Sequence, residues 1–231
     1  MSLTLAFDTT ADFCSAAFVL DRKVICECSE ELLRGHAEKL VPMIKKLGKD
    51  LGVEISDADL IAVTVGPGSY TGVRTGLAAA RGFSLASGAP AVGVSSFAAI
   101  IRGAIRQIRA TCPVLCIIET RRKEYFGQMY DYKGQVLTPP RVMGHNELQD
   151  IIEFHSPMLC GNGVARLLSS LSTRFPNLQH VSDSVKPKPV NIAAIAECII
   201  LKTKDVQETL SPLYLREPQA KLSNDKGIHA N

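Results

Sequence analysis

The run TVGPGSYTGVRTGLAAARG, from Thr64 to Gly82, places Gly68, Gly72, Gly76 and Ala80 four residues apart, with Ser84 next in line. On a helix opened by Ser69, a favourable N-cap, the last four of these positions form one face almost bare of side chains. Each glycine inside a helix costs about 0.5–1 kcal/mol relative to alanine. Two in one helix therefore ask for compensation, and close approach of another backbone supplies it through dispersion contacts along the whole ridge. The spacing alone leaves open whether that backbone is the chain's own sheet or a second molecule.

The same glycines do not make a nucleotide loop. A P-loop needs G-x-x-x-x-G-K-[ST], but five residues beyond Gly66 stands Thr71 and five beyond Gly68 stands Val73. The dinucleotide pattern G-x-G-x-x-G fails as well, because Thr71 takes the place of its third glycine.

Around this segment the chain reads as alternating strands and helices. Strands are predicted over Leu3–Thr9, Cys14–Leu20 and Val24–Cys28, then a helix over His36–Leu51 stopped by Gly52, which Pro42 should kink or shorten. A strand over Leu60–Val65, the glycine helix to Ser87, a strand over Ala91–Val94 and a helix opened by Ser95 or Ser96 complete the first half. The second half repeats this order. VLCIIET (Val114–Thr120) matches LTLAFDT and sets Glu119 and Thr120 where Asp8 and Thr9 stood. PMLCGNG parallels IAVTVGPG, and VNIAAIAECIILK parallels SFAAIIRGAIR. A βββαβαβα unit used twice is an α/β, two-lobed, actin-like and ribonuclease H-like fold with a cleft between the lobes. The first lobe is expected over 1–109 and the second over 110–215, with a polar, partly mobile tail over 216–231.

Several function classes drop out on composition. A net charge of +3 is far from the bias of a dedicated nucleic-acid binder. Arg102, Arg106 and Arg109 share a predicted helix face, and Lys186 and Lys188 flank prolines; these allow at most a weak contact with an RNA backbone. Seven cysteines without a CxxC pair read as core thiols in a reduced, cytoplasmic protein. No apolar run approaches the ~20 residues of a membrane span, and the N-terminus lacks the basic region of a signal peptide.

The stretch TVGPGSYTGVRTGLAAARGFSLASGAPAVGVSS resembles the hallmark of the bacterial tRNA threonylcarbamoyladenosine biosynthesis proteins of the TsaB family, with Tyr70 at a phenylalanine place and Thr75 at a usually apolar one. GHAEKLVPMI, ETRRKEYFGQMY and the closing PLYLR resemble further segments of that family, with Glu119 replacing an aspartate. The resemblance is dense from Leu3 to Tyr130 and sparse beyond. It implies a non-catalytic subunit that docks a related catalytic subunit (TsaD-like) through helices of its first lobe, works with a small ATPase (TsaE-like), and forms a homodimer when free. On that implication the glycine ridge turns outward, and Gly68, Tyr70, Gly72, Val73, Gly76 and Ala80, flanked by His36 and Leu40, form the partner or dimer interface.

Residue chemistry favours the absence of a catalytic centre. The catalytic relatives hold a metal with two histidines four apart on a helix; here the histidines are His36, His145, His155, His180 and His229, with no such pair. The phosphate-facing turns of an actin-like kinase carry glycine, whereas DTTADFCS has none and ETRRKEY offers Arg121, Arg122 and Lys123. Asp8, Thr9, Glu119, Arg121, Gly161 and Gly163 are read as a degenerate nucleotide cleft, with no firmly bound cofactor and ATP or ADP held at most weakly there or at the partner interface. The G-N-G run is equally a plain turn. Contact with tRNA is at most indirect. The competing reading is an ATP-dependent phosphotransferase of the same fold acting on a small substrate; a metallopeptidase is a third.

Overall fold

The computed structural model describes residues 2–108, 111–171, 173–182, 186–203 and 206–216. Strands β1 (Leu3–Ala11), β2 (Phe13–Leu20), β3 (Lys23–Glu31), β4 (Leu60–Gly66) and β5 (Ala91–Ser95) form one sheet in the order β3-β2-β1-β4-β5. β1 and β2 pair antiparallel and β1, β4 and β5 run parallel, so the two helical connections within the sheet, before and after β4, must cross over its faces. Strands β6 (Val114–Glu119), β7 (Tyr125–Tyr130), β8 (Arg141–Met143) and β9 (Met158–Cys160) form a second sheet ordered β8-β7-β6-β9. Among the described residues the second sheet repeats the first with one strand fewer, and a bridge between Leu159 and His180 stands at the place of a fifth strand.

Alternation along β1 decides which helix covers which face. Leu5 and Phe7 point towards α1 (His36–Leu51) and α2 (Tyr70–Ser87), where they join Leu40, Ile44, Val73, Leu77 and Ala80 in one core. Phe7 and Phe18 are fully buried there, each contributing about 1.5–3 kcal/mol of transfer free energy. α1 runs through Pro42 without being shortened. The proline is the seventh of its sixteen residues and stays on the solvent side. Both helices stop on left-handed glycines, Gly52 and Gly88, as their sequences predict.

Ala6 and Ala17, on the opposite face, meet α6 (Pro189–Ile200). The repeat assigns α6 to the second lobe, yet it packs on β1, β2, β4 and β5 of the first sheet. Conversely α3 (Ser96–Ala104), from the first half, buries Phe97, Ile100 and Ile101 against Val114, Cys116 and Ile118 of the second sheet. The lobes thus exchange their final helices, and a partition into 1–109 and 110–215 is corrected accordingly. The Asn191 side chain donates to the Ala99 carbonyl at 3.1 Å where the exchanged helices cross. α4 (His145–His155) and α5 (Val164–Leu171) cover the outer face of the second sheet through Leu148, Ile152 and Leu167.

α3 ends at Ala104, so Arg102 and Arg106 do not share a helix face; Arg109 and the expected boundary after it lie outside the described residues. The tail beyond Arg216 lies outside them too. No helix among the described residues is long and apolar enough to cross a membrane.

Candidate functional site

The glycine ridge of α2 faces inward. A Cβ on Gly72 would collide with the Thr9 carbonyl, and one on Gly76 would lie 2.8 Å from Thr9 Oγ1 and 3.1 Å from Val63 Cγ2. Gly68 sits equally tight on the Thr10 backbone. Gly72, Val73, Gly76 and Ala80 are buried, and Leu40 on α1 is a core residue. The expectation of an exposed ridge is therefore corrected: the backbone that approaches is the chain's own strand β1, whose Thr9 hydroxyl donates to the Gly72 carbonyl at 2.7 Å. His36 Nε2 lies 3.0 Å from the Ala11 carbonyl and fastens the start of α1 to the end of β1. What α2 turns outward is a different stripe: Thr71, Arg74, Ala78, Arg81, Gly82, Leu85 and Ala86. Space beside Gly82 is open, and Leu85 is 88% exposed.

Between the lobes lies a cavity of about 870 Å³. Its walls come from the end of β1 (Thr10), the start of α2 (Tyr70, Arg74), the β6–β7 turn (Glu119, Arg121, Arg122) and the closing segment (Tyr214, Arg216). Glu119 and Arg121 of the expected cleft set line it, but Asp8, Thr9, Gly161 and Gly163 do not. Gly161 and Gly163 instead bring their turn against the Ile117 backbone and side chain, a close approach that side chains would block.

Asp8 is fully buried. Its Oδ1 accepts from the Thr10 hydroxyl at 2.6 Å, the Thr10 amide at 3.1 Å and the Thr64 hydroxyl, while Oδ2 has no hydrogen-bond partner. Burial raises the pKa of this carboxyl above the ordinary aspartate value, and the hydrogen bonds from Thr10 and Thr64 only partly oppose it. Glu119, its counterpart in the repeat, is exposed and pairs with Arg166 at 3.0 Å.

Two features of the cleft escaped the sequence. Arg166 on α5 donates to the carbonyls of Thr120, Arg122 and Glu124 at 2.8–2.9 Å and stacks 4.0 Å over the Tyr125 ring, so one guanidinium staples the whole β6–β7 turn. Tyr70 and Tyr214 stack at 4.5 Å, with the Arg74 guanidinium 4.0 Å over the Tyr70 ring. The long-range partners carry no local signal: Arg166 lies 42–46 residues from the carbonyls it binds, and Tyr214 lies 140 from Arg74.

Three amides of the turns that would face a nucleotide's phosphates already have partners. Thr10 N donates to Asp8, Glu119 N to the Asn162 side chain at 2.9 Å, and Arg122 N to the Thr120 hydroxyl. A phosphate cradle needs several free amides converging on one point, and these three are already engaged. Among the described residues no three His, Cys, Asp or Glu side chains cluster as metal ligands.

Residues 29–160 match the family model described as TsaD, tRNA N6-adenosine threonylcarbamoyltransferase. The tRNA threonylcarbamoyladenosine biosynthesis protein TsaB of Escherichia coli (strain K12) is 35% identical over 126 residues, 54% of this chain and 54% of that protein. The chain spans only 54–60% of the length of the first curated relatives it matches. A crystal structure from Pseudomonas aeruginosa, of an uncharacterized protein with similarity to peptidase YEAZ, aligns with a TM-score of 0.76 at 26% identity, over 94% of this chain and 100% of that one. The ADPNP-bound activator of the 2-hydroxyisocaproyl-CoA dehydratase from Clostridium difficile shares the fold alone, with a TM-score of 0.52 at 12% identity over 88% and 99% of the two chains.

Proposed function

This chain belongs to the TsaD family of tRNA N6-adenosine threonylcarbamoyltransferases, on its TsaB/YeaZ side, and from that premise we propose that it serves tRNA threonylcarbamoyladenosine biosynthesis as a non-catalytic subunit. Its work is to dock a TsaD-like catalytic subunit, in an assembly that also contains a TsaE-like ATPase, and the same surface closes a homodimer when the partner is absent. The reaction takes place on the partner; this chain supplies shape.

The observation that carries the reading is the outward stripe of α2. Ala78, Gly82 and Ala86 let a second helix approach closely, and Leu85 offers an apolar side chain that its own fold leaves in water. The inward glycines contribute indirectly, by holding α2 rigid and flush against β1. The three engaged amides of the cleft and the lack of paired histidines support a non-catalytic role over phosphotransfer or peptidase chemistry.

Co-purification with a TsaD-like subunit tests this. Leu85→Asp and Gly82→Glu are expected to abolish capture while circular dichroism and Tm stay at wild-type values. Normal capture by both variants would sink the docking surface, and ATP turnover by the isolated chain that vanishes in Asp8→Ala would favour the phosphotransferase instead.

A further inference from the structure

The closing segment crosses the mouth of the cleft from one lobe to the other. On the first lobe, Thr209 Oγ1 accepts from the Gly93 amide at 2.9 Å, the Leu210 carbonyl accepts from Arg81 at 3.0 Å, and Leu213 N donates to the Val65 carbonyl at 2.8 Å. Tyr214 then lies on Tyr70 and its hydroxyl accepts from Arg74 Nε at 3.2 Å. On the second lobe, Leu215 packs into the cluster of Ile118 and Phe126, and Arg216 pairs with Glu124 and stands 5.8 Å from the Phe126 ring. The lobes are also joined by the crossing of α3 and α6, next to Ser96 and Ile100 on the cavity wall.

We propose that residues 209–216 are a latch that holds the rims of the two lobes together, with Tyr214 as its anchor on the first lobe and Arg216 as its anchor on the second. A pair of crossed helices leaves two packed bodies free to hinge. A strap running from rim to rim removes that freedom for as long as both anchors hold. The second anchor is a partly exposed ion pair, and pairs of that kind yield readily. The first is an aromatic stack clamped by Arg74, and Arg81 grips the strap two turns further along α2. Both arginines stand on the outward stripe of α2, so a partner seated there also bears on the latch; that link rests on the docking reading, whereas the latch itself does not.

Amide hydrogen exchange on the isolated full chain tests it, with Glu124→Gln and Tyr214→Ala read alone and together. A latch released at either end frees both rims. Each single variant should then speed exchange about tenfold in residues 70–74 and in 120–126, and the double variant should add little. The decisive reading is Glu124→Gln, which leaves the strap's own sequence intact and is still informative if Tyr214→Ala fails to fold: it must accelerate residues 70–74, on the far rim. Acceleration confined to each variant's own rim, single effects that multiply in the double variant, or no change in either region would overturn the latch.

Discussion

Thr9 and Gly72 hold each other twice: the Thr9 hydroxyl donates to the Gly72 carbonyl at 2.7 Å, and the Thr9 carbonyl occupies the space a Gly72 side chain would need. Strand and helix are thus in backbone contact at the N-terminal end of α2. Gly72→Ala cannot be relieved by a rotamer change, because the obstacle is main chain. A loss above about 3 kcal/mol, seen as failure to reach a folded baseline in urea, is expected. Gly76→Ala meets a side-chain hydroxyl and a methyl and should cost less, about 1–3 kcal/mol.

Asp8 gives a pH signature with a definite sign. Burial raises its pKa in the folded state, so the folded protein binds the proton more tightly than the unfolded chain does. The associated stability is complete below the unfolded value of about 3.9 and is lost as pH rises through the folded value. Asp8→Asn keeps an acceptor for Thr10 and Thr64 and cannot ionise. Urea midpoints should show the variant gaining on wild type as pH rises through that window, and parallel profiles would refute the buried carboxyl as the cause.

The thiols should separate sharply by reactivity. Burial, reinforced by the negative charges of Asp8 and Glu30, pushes the Cys14 thiol up to about 12, and Cys116 and Cys160 are buried as well. Cys198 is exposed. Iodoacetamide at pH 8 is expected to modify Cys198 in the native protein and Cys14, Cys116 and Cys160 only after denaturant is added, as peptide mass mapping would read directly.

Arg166 answers three carbonyls and the Glu119 carboxylate at once. Arg166→Met removes those donors and should cost about 2 kcal/mol in chemical denaturation. Arg166→Lys should recover little of it, since one ammonium cannot span a fork of acceptors. Full rescue by lysine would show that charge alone mattered.

Much of the fold was legible because its signals are local. The period of Leu40, Met43, Ile44 and Leu47 marks α1, Ser69 and Gly88 bound α2, and the doubled strand order gives the two lobes. The direction of the glycine ridge was not legible. Four-residue spacing shows that something must come close, and Thr9 is 63 positions away with nothing in its identity to announce the contact. The exchange of α3 and α6 was hidden for a related reason. Their apolar residues would suit either sheet, and only the connection geometry assigns them. Of the expected cleft residues, Glu119 reaches the cavity as the last residue of β6 and Arg121 from the turn after it, while Asp8 and Thr9, two and one residues before the rim residue Thr10, are buried.

The crossing of α3 and α6 makes each half of the chain an incomplete object. Sever the connection after residue 108, and the N-terminal fragment keeps a sheet whose alanine-lined face is bare, while the C-terminal fragment carries off the helix that should cover it. Neither piece would be a self-sufficient folding unit, yet the two expressed together hold everything needed to rebuild the whole.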